Sequence, residues 1–445
     1  MVRVGSSQPA DTVPWQSVPE VRAAQSRTVR LLAAAQIVGG IGVGASVSIG
    51  VLLAESIARS ESYAGLARTS SVLGAALVGV PLALLAQRRG RRTALSTGWL
   101  AAAAGSALLV LAAVVASVPL LVVGMLLFGV GSATNLQGRY AAADLALPHH
   151  RARALSTVVW STTVGAMIGP NLGAPGAVVA AALGLPRLAG AFVLSTGFAL
   201  AAAALLRVGL RPDPLLLAQR RQPAAATPAG APGTAGRTSP TAAARPVWRQ
   251  LRRSPRAGFA FVTVVLGHTV MGAVMTMTPV SLAGEGMTLT VVGFTITAHV
   301  LGMYAFAPVV GWLADRIGQF RVMLLGQLTY LAAVLVAGVG HRSMGWAMAG
   351  LFLLGLGWSC SLVAGSAMLS AATEPSLRPA MQGTADTTMN LVAAVAAGLA
   401  GPLTSRLGFG GLNAAAAVLV APVLLAGLVL WRMQRRPTRT PAAAR

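Results

Sequence analysis

This chain has little charge, few acids and almost no cysteine. Of its 445 residues 10% are charged, ten are Asp or Glu, one is Cys, and all 34 basic residues are Arg. A soluble domain carries about 25% charged residues, so this chain cannot present a water-facing surface throughout. The lone Cys360 lies in an apolar run, which excludes a disulfide framework and a Cys-based metal site. A nucleic-acid binder would concentrate Arg beside aromatics on a polar surface, but aromatics make up 5% and the Arg residues stand between apolar runs. Gly40, Gly42 and Gly44 lie within such a run, not in a strand–loop–helix phosphate site. No enzyme signature and no cofactor site is expected.

What the chain does have is 55% hydrophobic residues, arranged in long runs. A spanning helix needs about 20 mainly apolar residues. That criterion gives twelve spans: 31–54, 65–86, 93–116, 120–143, 155–177, 189–208, 257–282, 290–313, 322–340, 344–370, 381–405 and 411–431. Barrel strands would alternate over about ten residues, so the expected fold is an all-α membrane protein with two six-helix bundles. With twelve spans both termini share a side, and that side collects 28 Arg against five on the other, with Arg139 inside a span. The excess of cationic residues marks it as cytoplasmic. The expected units are an N-terminal tail 1–30, a bundle 31–208, a basic linker 209–256, a bundle 257–431 and a basic tail 432–445. The run Gln222–Ala244 is rich in Pro, Ala, Gly and Thr and reads as disordered. The segment Val247–Arg253 suits either a helix on anionic lipid or a solvated basic loop.

The halves are alike. Phe128-Gly129-Val130-Gly131 returns as Leu354-Gly355-Leu356-Gly357, and Gln87-Arg88-Arg89-Gly90-Arg91-Arg92 returns as Asp315-Arg316-Ile317-Gly318-Gln319-Phe320-Arg321. Parallel repeats with a site between them are a transporter architecture. The segment Gly311-Trp312-Leu313-Ala314-Asp315-Arg316-Ile317-Gly318, closed by Arg321, resembles the cytoplasmic-loop signature of the major facilitator superfamily. In the first half Ala83 and Gln87 depart from the signature Gly and Asp, whereas Arg88, Gly90, Arg91 and Arg92 keep to it. Independently of the resemblance, Gly311 permits close helix approach, Gly318 a tight turn, and Asp315 can accept from amides at a helix N-terminus. A latch is expected in which Arg88 or Arg91 pairs with Asp144, and Arg316 or Arg321 with Glu374.

In the fifth span Gly165-Ala166-Met167-Ile168-Gly169-Pro170-Asn171-Leu172-Gly173 resembles the GxxxGPxxG element of the superfamily's antiporter branches, drug/proton exporters included; Ala174 stands where those branches have a further Gly. The four-residue spacing of Gly165, Gly169 and Gly173 makes a small-residue face, and Pro170 removes a donor and adds a bend. The expectation is that this span moves against a neighbour.

Charge inside a membrane is costly and therefore informative. Asp386 and Arg139 are expected to lie within spans and to serve proton coupling, with His268 and His299 as further titratable candidates. For Asp386 the alternative is a helix cap near the interface. For the two His residues the alternatives are core packing and, with nearby Met, soft-metal ligation. Asn135, Gln137, Trp160, Met271, Met275, Trp358 and Asn390 are expected to line a cavity for an amphiphilic organic molecule. Together these readings imply a monomeric, proton-coupled exporter in a bacterial cytoplasmic membrane, surrounded by anionic lipid and without nucleic-acid partners. The rivals are an uptake symporter for a metabolite and a membrane sensor or scaffold.

Overall fold

A computed structural model of the protein describes residues 14–45, 49–58, 62–221, 240–287, 289–340 and 343–435. Every regular element among them is helical. The N-terminal bundle contains α1 (Pro19–Ala45), α2 (Val51–Ala58), α3 (Ser62–Val114), α4 (Val118–Ala143), α5 (Arg151–Ile168), α6 (Gly173–Ala182) and α7 (Ala189–Gly209). Two short helices follow, α8 (Pro214–Arg221) and α9 (Pro240–Arg253). The C-terminal bundle contains α10 (Pro255–Gly284), α11 (Leu289–Tyr304), α12 (Ala307–Ile317), α13 (Gln319–Gly340), α14 (Met344–Ala371) and α15 (Arg378–Arg435).

Among the described residues eight helices are long and apolar enough to cross a membrane, and nine when α5 and α6, bent by 62°, are taken as one span. Two of these helices each hold two spans, because α3 turns back at Gly90 (φ 85°) and α15 at Gly408 (φ 70°). Only a residue without a Cβ adopts such a φ at little cost. With α1, which starts at Pro19 inside the segment read as a tail, the spans number twelve. Span eight is likewise broken, at Ala305 and Phe306 between α11 and α12.

The region read as a linker is partly ordered. α8 and α9 flank residues 222–239, which lie outside the described residues along with 436–445. α9 begins at Pro240, within the run expected to be disordered.

The glycine face of the fifth span packs inside its own bundle. A Cβ at Gly165 would meet the backbone of Gly40 and Ile41 at 2.6–2.9 Å, and one at Gly169 the backbone of Gly44 at 2.5–2.8 Å, so α5 lies backbone to backbone on α1. Gly173 is no part of that contact, since a Cβ there would meet only Ile49 at an ordinary 3.8 Å. The helix leaves the α form at Gly169–Leu172, a 3-10 turn that contains Pro170. Gly165→Leu must therefore force two helices of one bundle apart, at a cost of about 1–3 kcal/mol. The thermal unfolding midpoint of the purified variant should fall, and an unchanged midpoint would show that α1 yields without loss.

Candidate functional site

The bundles meet at their cytoplasmic ends along two helix pairs. α5 rests on α12, where Gly311 leaves no room for a Cβ beside Ser156 and the Ala152 carbonyl. The first half of α3 rests on the first half of α15, where Gly79 and Gly383 abut and the Thr387 hydroxyl donates to the Ala76 carbonyl at 3.0 Å. Each seam is closed by a polar bond. Asp315 accepts from the first amides of α5, Ala152 N at 3.1 Å and Arg153 N at 3.0 Å. At the matching place in the other repeat Gln87 donates to the Ser376 carbonyl at 2.6 Å. The departure at Gln87 thus leaves the contact in place and reverses its sense, with an amide donating where a carboxylate accepts.

Of the two Arg candidates for Asp144, Arg91 makes the pair, at 2.9 Å. The same guanidinium donates to Gln382 Oε1 of the opposite bundle at 2.7 Å, and Gln382 donates to Ser370 at 3.1 Å. The expected mate of this pair is not formed. Among the described residues no ion pair joins Arg316 or Arg321 to Glu374: Arg316 lies over the Trp312 ring at 5.1 Å, while Arg321 and Glu374 are exposed. The reason is local, because Glu374 sits in the turn beyond α14, where its backbone carbonyl receives Leu377 N and Arg378 N and its side chain faces water. Arg88 is exposed on the cytoplasmic side.

Asp213 is a cap of the cytoplasmic loop that the motif reading missed. It accepts from Arg92 N at 2.7 Å and from Leu215 N and Leu216 N at 3.1 and 3.2 Å, so one carboxylate caps two helix starts. It also fills the space beside Gly90, where a Cβ would collide with it. Asp before Pro214 is a helix-start signal that the sequence carried.

The central feature lies deeper. Arg139 on α4 and Asp386 on α15 form an ion pair of 2.6 Å between the bundles, with side chains 1% and 2% exposed. At 1.5 Å per residue Asp386 stands about 12 Å inside its helix, so it is no end cap. Arg139 also donates to Ser366 Oγ on α14 at 3.2 Å, to the Tyr140 hydroxyl at 3.0 Å and to the Leu136 carbonyl. The Tyr140 hydroxyl is 3.5 Å from Asp386 Oδ1. Asp386 Oδ2 is buried without a hydrogen-bond partner.

The titratable and aromatic candidates of the C-terminal bundle separate into two places. Trp358 Nε1 donates to His268 Nδ1 at 2.8 Å, and the Trp358 ring meets Tyr304 edge-on at 5.4 Å. His268, Trp358 and Tyr304 therefore form one cluster. His299 stands apart from that cluster, since its Nδ1 bonds the Leu351 carbonyl at 2.9 Å inside the bundle and its Nε2 is buried and unpartnered. No group of three or more metal-ligating His, Cys, Asp or Glu side chains exists among the described residues.

The expected substrate residues are likewise divided. Asn390 donates to the Asp386 carbonyl at 2.8 Å, one turn along the same helix. Gln137 donates to the Gly79 carbonyl at 2.7 Å, tying span four to span two. Asn135 bonds Gln36, which also donates to Thr162 at 3.0 Å, so Gln36 joins spans one, four and five. Gln36 escaped sequence reading because a single Gln within an apolar run has no motif around it. Met271 is buried in the C-terminal core, and Met275 packs against that core. Trp160 is 43% exposed.

A family model, Major Facilitator Superfamily, matches residues 32–289 and 260–445. The MFS-type transporter YddS of Bacillus subtilis (strain 168) is 34% identical over 410 residues, covering 92% of this chain and 91% of that protein. The riboflavin transporter RfnT of Brucella anthropi is 27% identical over 423 residues, covering 95% and 99%. Among solved structures, the human organic anion transporter MFSD10 (TETRAN) matches with a TM-score of 0.71 at 18% identity, over 91% of this chain and 99% of that one. A twelve-span helical fold, an internal repeat and these matches together make this chain a member of the Major Facilitator Superfamily, a non-enzymatic membrane transporter.

Proposed function

We propose that the protein is a monomeric proton-coupled exporter of small amphiphilic organic molecules in a bacterial cytoplasmic membrane, working by alternating access. The observation that carries this reading is the buried Arg139–Asp386 pair between the bundles. A buried ion pair contributes little net stability, but loss of one partner strands the other charge at about 3–5 kcal/mol. A proton supplies the alternative to such a loss. It adds at Oδ2, the oxygen without a partner, and leaves a neutral carboxyl that no longer holds Arg139 by charge. The bundles are then held without that ion pair, by the cytoplasmic contacts of Asp315, Gln87, Gln382 and Thr387 and by the Arg139–Ser366 bond. Protonation from outside therefore favours opening toward the cytoplasm, and release of the proton there restores the pair. A substrate that contacts Arg139 or Asp386 only in their ionised state competes with the proton, which is exchange.

Export draws further support from the Gly-Pro element of the fifth span. The second reading is uptake symport of an aromatic metabolite, which the similarity to a riboflavin transporter favours. The edge-on pair of Trp358 and Tyr304 offers an aromatic surface that suits either direction. The two readings part on sign: in proteoliposomes an exporter accumulates substrate on one side while protons move the opposite way, and a symporter moves both together.

Asp386→Asn imitates the protonated carboxyl permanently. That variant should still exchange substrate across the membrane but no longer concentrate it under an imposed proton gradient. Its unfolding midpoint should fall because Arg139 stays buried without a counter-charge, and Arg139→Gln added to it should recover most of the loss. Transport that remains proton-driven in Asp386→Asn would pass the coupling role to His268.

Asp315→Ala removes a charge-assisted cap from the start of α5, a contribution of about 0.5–2 kcal/mol. Spin labels placed at His149 and Arg321 in a Cys360→Ala background should show a larger share of long distances across the seam. An unchanged distribution would remove Asp315 from the latch.

A further inference from the structure

α9 lies before span seven and is attached to the C-terminal bundle through Val247, Trp248, Gln250 and Leu251. Val247 is fully buried, Trp248 meets Phe261 edge-on at 5.7 Å, and Gln250 donates to the Ala372 carbonyl at the end of α14 at 3.4 Å. Phe261 lies six residues into α10, so its contact with Trp248 holds α9 at the level where that span enters the membrane. Trp248 is nonetheless 46% exposed, as an interfacial Trp would be.

The other face of α9 is cationic. Arg245, Arg249, Arg252 and Arg253 are exposed and fall within about 100° of one another on a helix of 3.6 residues per turn, with Val247 and Leu251 on the opposite side. Among the described residues none of the four makes an ion pair. No Asp or Glu occurs along the chain between Asp213 and Glu285, and exposed Glu374 in the 372–377 turn makes no ion pair with α9. Four such charges on one face at interfacial depth complement an anionic headgroup layer.

We propose that α9 is a docking face for anionic phospholipid, through which lipid composition acts on the cytoplasmic latch. The coupling has a short route. Gln250 holds the Ala372 carbonyl, and four residues on the Ser376 carbonyl receives Gln87 of the opposite bundle. Lipid that fixes α9 fixes the 372–377 turn and with it one acceptor of the seam.

The test is amide exchange on the full chain in nanodiscs of phosphatidylcholine, with and without phosphatidylglycerol. Exchange should slow several-fold over 245–253 and over 372–377 when phosphatidylglycerol is present, and high salt should reverse the effect. An Arg249→Gln, Arg252→Gln, Arg253→Gln variant should lose the difference while the exchange of α4 stays unchanged. Equal exchange in both lipids would overturn the proposal, as would protection that survives in that variant. Protection reproduced by free glycerol phosphate in phosphatidylcholine discs would make the face a soluble phosphate site, and protection of α9 without the 372–377 turn would break the link to the latch.

Discussion

Two charges paired across the interface of the two bundles constrain the rest of this structure. Arg139 and Asp386 are both inside the membrane, and neither can be left there alone without a penalty of several kcal/mol. On the proposed mechanism the bundles separate when a proton or a ligand takes over one side of the pair. The surrounding donors and acceptors fit that demand unevenly. Arg139 has Leu136, Tyr140 and Ser366 to fall back on, whereas Asp386 has one oxygen with no partner. On the proposed mechanism the arginine stays charged and the carboxylate is the group that changes.

The cytoplasmic seam works with the same economy. Close approach is prepared by glycine at Gly79, Gly383 and Gly311, and each approach is finished by one polar bond at the helix end. The Asp315 bonds satisfy amides that a helix start leaves open, and the Gln87 bond satisfies a carbonyl in the turn before α15. The two seams are repeats of one design with different chemistry. Asp315 supplies a charge and Gln87 does not, which makes the α5–α12 seam the stronger and leaves the α3–α15 seam to share its load with Arg91 and Gln382.

Much of this was legible in the sequence. Run length gave the spans, the Arg asymmetry gave the orientation, and the rarity of acids drew attention to Asp386 and Arg139. Pairing across the bundles was not legible, because 247 positions separate Arg139 from Asp386 and only packing brings them together. The same holds for Gln36, whose bonds to Asn135 and Thr162 join three spans. Repeat logic succeeded for Arg91 with Asp144 and failed for Glu374, since equivalent positions in two repeats need not keep equivalent neighbours once Gln87 has replaced Asp. The glycine stripe was read as a moving surface, and the structure seats it on α1 of its own bundle. A small-residue face shows that something comes close without showing what.

The central claim is that the ionisation of Asp386 governs whether the bundles stay together at the cytoplasmic side. The most direct measurement is the distance distribution across that seam, recorded with spin labels on the reconstituted wild-type chain and on Asp386→Asn from alkaline to acid pH. Acidification should move the wild-type population toward long distances, while Asp386→Asn should already show them and respond to pH no further. A wild-type distribution that ignores pH, or a variant that follows the wild-type titration, would contradict the account.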